Sequence, residues 1–109
     1  MYKMIAMLRR KPGISREEFA RYWIDIHAPL VKDCLPGLQK YVLNIATPFP
    51  DGREPDYDGV VELGFEDQAA MTAAMTSPTW LSTQRQASTS NFLDLENILS
   101  VHTEEHVVV

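Results

Sequence analysis

The chain is poor in cysteine and in glycine. Cys34 is the single cysteine among 109 residues, so no internal disulfide can form and a reducing compartment is permitted. The five glycines are scattered and form neither a dinucleotide-binding fingerprint nor a P-loop. We therefore expect no nicotinamide, flavin or other cofactor, and we interpret Cys34 as a small buried apolar side chain rather than a nucleophile.

Positive charge and long apolar runs are also scarce. Ten Lys and Arg residues stand against fifteen Asp and Glu, and the formal net charge is −5. Nucleic-acid binding needs clustered basic side chains, and the only basic run is residues 9–11, which argues against that class of partner. No stretch approaches the length of a membrane span, and Arg9 interrupts the N-terminal apolar run too early for a signal peptide. We expect a cytoplasmic protein without a membrane or nucleic-acid partner.

The length and composition are those of one globular domain over residues 1–109, with 45% hydrophobic and 23% charged residues. Short apolar runs that end at turn residues predict strands over 2–8, 38–45, 57–65 and 95–107. Helical patterns predict a helix from Ser15 to Pro36-Gly37, one over 68–76 and another that restarts at Ser77-Pro78. The order β-α-β-β-α-β is the split βαβ of the ferredoxin-like α+β fold.

The first helix carries the clearest local signal. Ser15 and Glu18 form a capping box, in which the serine oxygen accepts from a free N–H and the glutamate reaches back. Pro29 cannot donate to the carbonyl four residues earlier, so we expect a kink beside His27. An apolar stripe at helical spacing follows the cap: Phe19, Tyr22, Trp23, Ile26 and Leu30. Such a stripe is typical of a core face, although its aromatic members could instead stack on a planar ligand.

Strands that are apolar on both faces predict a homodimer. Both alternating sets of side chains are apolar in the first strand, and in the third strand Val60 lies on the face opposite Val61. Two helices on one side of a four-stranded sheet leave the other side bare, and monomers seldom expose such an apolar patch. We expect two sheets to pack face to face as a dimeric α+β barrel, with a cavity within or beside each sheet.

The first helix and its flanks are similar to the EthD family. Its members show a pattern of the form KpGlS-x-EEF-x-x-YW-x-x-x-HaPL, followed by Pro-Gly and a strand with an aromatic residue. The matching positions are residues 11–19, 22–23, 27–30, 36–38 and Tyr41. The resemblance continues through 58–65 and 103–105, so it covers most of the chain. It implies a dimeric α+β barrel.

The resemblance also implies a small-molecule pocket, with several activities open. The family includes proteins encoded beside ether-degrading oxygenases, proteins of polyketide pathways, and a methylmuconolactone methylisomerase of aromatic catabolism. The isomerase uses a histidine and a tyrosine at the positions matching His27 and Tyr41, and a cysteine where this chain has Leu63. Cys34 lies elsewhere, so the isomerase set is incomplete here.

His27 is the leading candidate for catalysis. It lies at the edge of the apolar stripe just before Pro29, where its pKa could be near neutrality, as a general acid or base requires. The alternative is a histidine that holds the kink by bonding the Asp25 carbonyl. Tyr41 is suited either to donate a hydrogen bond to a carbonyl or enolate oxygen or to fill the core as a strand aromatic.

Further candidates lie on the third strand and near the C-terminus. Asp58 and Glu62 are roughly 13 Å apart along one strand face, too far for a paired-carboxylate site. We predict that Asp58 orients the ligand and that Trp23, Val60 and Glu62 contact it. The two histidines of the C-terminal segment, at positions 102 and 106, are similarly separated, so no metal site is expected.

These patterns favour an enzyme of catabolic or secondary metabolism that acts by acid–base chemistry on an apolar carbonyl- or lactone-bearing compound. In this isomerase-like hypothesis His27 transfers the proton, while Tyr41 and Asp58 orient the substrate. A cofactor-independent oxidoreductase or oxygenase, or an accessory protein to an oxygenase, is the first alternative. A non-catalytic ligand-binding module is the second.

Overall fold

Four antiparallel strands form one sheet in the order β2-β3-β1-β4. The structure is a computed structural model that describes residues 1–109. The strands are β1 Tyr2–Leu8, β2 Lys40–Ile45, β3 Gly59–Phe65 and β4 Leu99–Glu104. The two central strands, β1 and β3, pair in register along their whole length. This arrangement confirms the split βαβ of the ferredoxin-like α+β fold.

One long helical segment crosses the sheet after β1. It consists of α1 Arg16–Tyr22, a π turn Trp23–His27 and α2 Ala28–Cys34. The Ser15 side chain accepts from the Glu18 N–H at 3.0 Å, which confirms the predicted cap. Pro29 has no amide hydrogen to donate, and the helix widens just before it: the Ala28 N–H bonds the Trp23 carbonyl five residues back. The predicted kink is therefore a π turn.

The second helical region contains α3 Gln68–Met75, α4 Thr83–Phe92 and a 3-10 turn Leu95–Asn97. The prediction of a helix restarting at Ser77-Pro78 was wrong. The Ser77 hydroxyl donates to the Ala74 carbonyl at 2.6 Å, and the chain turns there until Ser82 caps α4 by accepting from the Arg85 N–H. The 3-10 turn takes up the start of the predicted last strand, because the Asp94 side chain accepts from the Glu96 N–H.

The core lies between the sheet and the helices. On the covered face, alternate side chains of β1 and β3 are buried, among them Ala6, Leu8, Val61, Leu63 and Phe65. Three aromatic side chains of the helices complete the centre: Phe19, Trp23 and Phe92. Each of these three is about 1% exposed. The predicted apolar stripe of the first helix thus faces the sheet through its aromatic members. Ile26 was wrongly included in the stripe: it is 54% exposed, because in the π turn Trp23 and His27 are the residues that face inward.

The other sheet face carries no helix. Leu99 and Val101 of the edge strand β4 are 59% and 58% exposed there, and Met7 of β1 is 38% exposed. Beside this apolar strip, the Lys3 ammonium forms salt bridges with Glu62 at 2.8 Å and with Glu105. The predicted bare apolar face is therefore present. None of the helices is long and apolar enough to cross a membrane.

Candidate functional site

A cavity of about 330 Å³ lies between the covered sheet face and the helices. Thirteen of its eighteen lining residues are hydrophobic. The other five are polar, and Tyr41, counted with the hydrophobic residues, adds a phenol hydroxyl to them: His27, Arg85, Thr89, Ser100 and His102. An apolar hollow with a few converging polar groups is the usual form of a small-molecule site. All of these lining residues belong to one chain, and Ser100 and His102 at its edge are exposed.

His27 is held inside this cavity by α4. Its side chain is 6% exposed, its ring lies 4.7 Å from the Phe92 ring, and its Nδ1 is 2.9 Å from the Ser88 hydroxyl. Its Nε2 has no protein partner and is still accessible, because the only fully buried side-chain nitrogen or oxygen without a partner is Arg9 Nε. His27 therefore bonds Ser88, and not the Asp25 carbonyl as in the alternative interpretation of the sequence.

The His27 imidazole is neutral over a wide pH range. Burial, and secondly the nearby positive charge of Arg85, lower the pKa of His27 from 6.5 to about 4. This differs from the near-neutral value expected from sequence, because the surrounding side chains offer the imidazolium no carboxylate. The ring is therefore uncharged at neutral pH, with Nδ1 bonded to Ser88 and Nε2 left without a protein partner.

Tyr41 and Trp23 form a second polar pair in the same cavity. The Trp23 Nε1–H donates to the Tyr41 hydroxyl oxygen at 3.1 Å. Burial raises the pKa of Tyr41 to about 12, against the smaller opposing effect of the Trp23 hydrogen bond. The phenol therefore keeps its proton at neutral pH. The Tyr41 hydroxyl has no acceptor in the protein, so its hydrogen is free to donate.

Three residues predicted to orient or contact a ligand lie outside the cavity. Asp58 precedes β3 at the end of the sheet, where its carboxylate accepts from the Arg10 backbone N–H at 2.8 Å and from the Arg10 guanidinium at 2.7 Å. Val60 and Glu62 lie on the open sheet face, and Glu62 pairs with Lys3. The reason is strand parity: in β3 only Val61 and Leu63 face the cavity, and these two alternate with Val60 and Glu62.

The remaining candidates occupy separate places. Cys34 is a buried free thiol that does not line the cavity. His102 lines the cavity from β4 and meets the Tyr2 ring edge-on, whereas His106 follows the strand in the C-terminal tail. The structure brings together no group of three His, Cys, Asp or Glu side chains that could hold a metal ion.

Sequence reasoning missed the contribution of α4. A chain of hydrogen bonds runs from the Asn91 amide to the Tyr22 hydroxyl at 3.1 Å, on to Ser88 at 3.2 Å, and from Ser88 to His27. Arg85 and Thr89 lie on the same helix and line the cavity. Positions 85, 88, 89 and 92 have the i, i+3, i+4, i+7 spacing that puts these side chains on one helix face, but the spacing alone does not show that this face is turned inward.

A family model decides the assignment. The model described as the EthD domain matches residues 11–96. The chain belongs to the EthD family. The resemblance read from the first helix is thereby confirmed, and His27, Tyr41 and the position of Leu63 fall together in the cavity of this EthD protein.

Solved structures show the same fold. An ethyl tert-butyl ether D (EthD) family protein from Bacillus halodurans C-125 is 21% identical, with a TM-score of 0.76 and coverage of 97% of this chain and 99% of that chain. A dimeric ferredoxin-like protein of unknown function from Thermobifida fusca is 15% identical, with a TM-score of 0.66 and coverage of 94% and 88%.

A hydroxynitrile lyase from Passiflora edulis is similar in structure too. It is 13% identical, with a TM-score of 0.69 and coverage of 94% of the EthD protein and 90% of the lyase. At these identities the likeness concerns the fold alone. The comparison with curated proteins gave no match.

Proposed function

We propose that this EthD protein is an enzyme that moves a proton on a small, apolar, carbonyl- or lactone-bearing compound. One observation carries the proposal: a neutral imidazole with a free Nε2 and a protonated phenol line the same apolar cavity. A neutral base and a hydrogen-bond donor are the two groups that proton abstraction beside a carbonyl requires. A hydroxynitrile lyase of the same fold supports the view that this architecture can host acid–base chemistry on small molecules.

The proposed reaction is a proton transfer through an enolate. His27 Nε2 takes a proton from the carbon next to the carbonyl, the C–H bonding pair becomes the enolate, and the Tyr41 O–H donates a hydrogen bond to the developing oxyanion. The imidazolium then returns the proton to the same or a neighbouring carbon, which gives exchange or isomerisation. For Nε2 to accept, Nδ1–H donates to Ser88, and the Ser88 hydroxyl donates to Tyr22.

Deuterium incorporation tests this reaction without knowledge of the physiological substrate. A panel of cyclic ketones and lactones is incubated with the protein in D₂O, and loss of the α-proton signal is followed by NMR. We expect at least one compound to exchange faster with the protein than in buffer alone. No acceleration across the panel would favour the non-catalytic binding module instead.

Replacing Tyr41 by phenylalanine should lower the catalysed exchange rate by roughly 10²-fold, because it removes a donor aimed at the oxyanion. The matched control is Tyr57→Phe, since Tyr57 stacks with Arg9 outside the cavity. The measurement is the initial exchange rate at saturating ketone, with thermal unfolding to check the fold. Equal rates for Tyr41→Phe and Tyr57→Phe would contradict the proposed role.

We further propose that the open sheet face packs against a second copy of this chain, as in the dimeric neighbour of the same fold. Changing both Leu99 and Val101 to glutamate should convert a dimer into a monomer, because four carboxylates would be placed in the apolar interface. Sedimentation velocity at micromolar concentration measures this. Leu81→Glu, at a position that is 53% exposed on the helical side, should remain dimeric. A monomeric wild type would refute the proposed dimer.

A further inference from the structure

Arg85 is the only Lys, Arg, Asp or Glu among the cavity-lining residues. It is half-buried and takes part in none of the salt bridges of the protein. A guanidinium without a carboxylate beside an apolar hollow is an unusual arrangement, because the charge loses hydration and gains no counter-charge. Burial accordingly lowers the pKa of Arg85.

Three contacts hold this guanidinium in a defined orientation. Its Nε donates to the Trp80 carbonyl at 2.7 Å, its Nη1 donates to the Thr89 hydroxyl at 3.2 Å, and its central carbon lies 3.7 Å from the centre of the Trp80 ring. Nη2 has no protein acceptor. A planar donor group that is fixed by stacking and has donors to spare is well suited to bind a carboxylate.

We infer that the substrate of this site carries a carboxylate and that Arg85 binds it. This inference rests on the proposed function and names the class of substrate: an apolar carbonyl compound or lactone with a single carboxylate. One permanent positive charge matches one negative charge, and the mostly hydrophobic walls favour an apolar body within about 330 Å³. A phosphate ester fits less well, since it brings about two negative charges and needs more donors than one guanidinium offers.

Binding of a carboxylate to Arg85 would also raise the pKa of His27 and so make it a stronger base. Ser88 of α4 contacts His27, and the titratable or charged groups that line the cavity with it are Arg85 of α4, Tyr41 of β2 and His102 of β4. Arg85 is the one permanent charge among them, and its charge opposes protonation of the imidazole. A bound carboxylate offsets that charge, so the pKa of His27 rises toward the range in which a general base works best. A neutral analogue would leave the imidazole a weaker base.

A pair of rigid probes tests the inference. 2-Naphthoate and 2-naphthamide have nearly the same shape and differ in charge. The ratio of their affinities for the wild-type protein therefore measures how much the negative charge contributes to binding. We expect naphthoate to bind about tenfold or more tightly by isothermal titration calorimetry at pH 7, the size expected for a charge-assisted hydrogen bond. The inference would be overturned if naphthoate bound no more tightly than naphthamide, or if neither compound bound. This comparison needs only the wild-type protein.

Variants of Arg85 locate the effect. Arg85→Met should bring the two affinities to within about twofold of each other, and Arg85→Lys should restore part of the preference because it keeps the charge. The matched control is Arg53→Met, since Arg53 stacks on Phe49 in an exposed loop away from the cavity. A preference for naphthoate that survives in a folded Arg85→Met protein would also overturn the inference.

The binding readout separates this inference from the proposed function. His27→Gln should keep the preference for naphthoate, because Arg85 is unchanged. If the preference depends on Arg85 while loss of His27 leaves proton exchange unaffected, the carboxylate anchor stands and the catalytic proposal fails. If exchange depends on His27 while the preference is absent, the catalytic proposal stands and the anchor fails. NMR titration of the His27 imidazole should show a higher pKa with naphthoate than with naphthamide.

Discussion

Replacing His27 by glutamine should lower the catalysed deuterium incorporation by roughly 10²- to 10⁴-fold, the usual contribution of a general base. The glutamine amide can still bond the Ser88 hydroxyl, so the buried network is not left unpaired, but it has no lone pair basic enough to take a proton from carbon. The measurement is the initial exchange rate of the best ketone or lactone of the panel, at pH 7 and at saturating concentration.

The pH dependence of the same reaction supplies a second criterion. The neutral imidazole is the active form, and the free enzyme loses it as the pH falls through about 4. The rate at low substrate concentration should therefore be level from neutral pH down to about pH 5 and decline below that, whereas His27→Gln should show no such decline. The control is His106→Gln, because His106 is exposed in the C-terminal tail. Retention of the wild-type rate by a folded His27→Gln protein would rule out His27 as the base.

The first helix shows why much of the site could be predicted from sequence. The Ser15 cap, the aromatic stripe and Pro29 are local signals, and together they set which face of the helix meets the sheet. Because His27 and Trp23 belong to that one helical segment, their approach to Tyr41 on the neighbouring sheet follows from the fold. The bond between Trp23 and Tyr41 is the structural result of that geometry.

The third strand shows what local pattern leaves undecided. The alternation of β3 separates Val61 and Leu63 from Val60 and Glu62, and this separation was predicted. Which of the two faces the helices cover depends on how the chain crosses the sheet, and the strand's own sequence does not contain that information. The predicted ligand contacts of Val60 and Glu62 placed a site on the face that the structure leaves uncovered.

Helix α4 was harder to interpret because it is polar. Its sequence, TQRQASTSNF, contains few apolar residues, so Arg85 and Ser88 look like members of a solvated face. Their roles depend on tertiary contacts with residues of the first helix that are far away in sequence: the Ser88 hydroxyl touches both Tyr22 and His27. Hydrogen bonds of this kind join distant segments, and a single sequence does not reveal them.

The buried, neutral state of His27 should also make folding stability depend on pH. Between pH 6.5, its ordinary pKa, and about 4, its pKa in the folded protein, the unfolded chain binds a proton that the folded chain does not. The free energy of unfolding therefore falls as the pH is lowered through this window, by up to about 3 kcal/mol from this one residue. Above pH 6.5 both states are neutral at His27 and the contribution is flat.

Urea unfolding at pH 7, 5.5 and 4 of wild type and His27→Gln isolates this effect, because the carboxylates that titrate in the same range are common to both proteins. Relative to His27→Gln, the wild type should lose up to about 3 kcal/mol between pH 7 and pH 4. His106→Gln should follow the wild type, since His106 is exposed in the tail. A constant difference between wild type and His27→Gln at all three pH values would mean that the imidazole is protonated as readily in the folded protein as in the unfolded chain. Burial would then not keep His27 neutral between pH 6.5 and about 4, and the level rate expected down to about pH 5 would not be found.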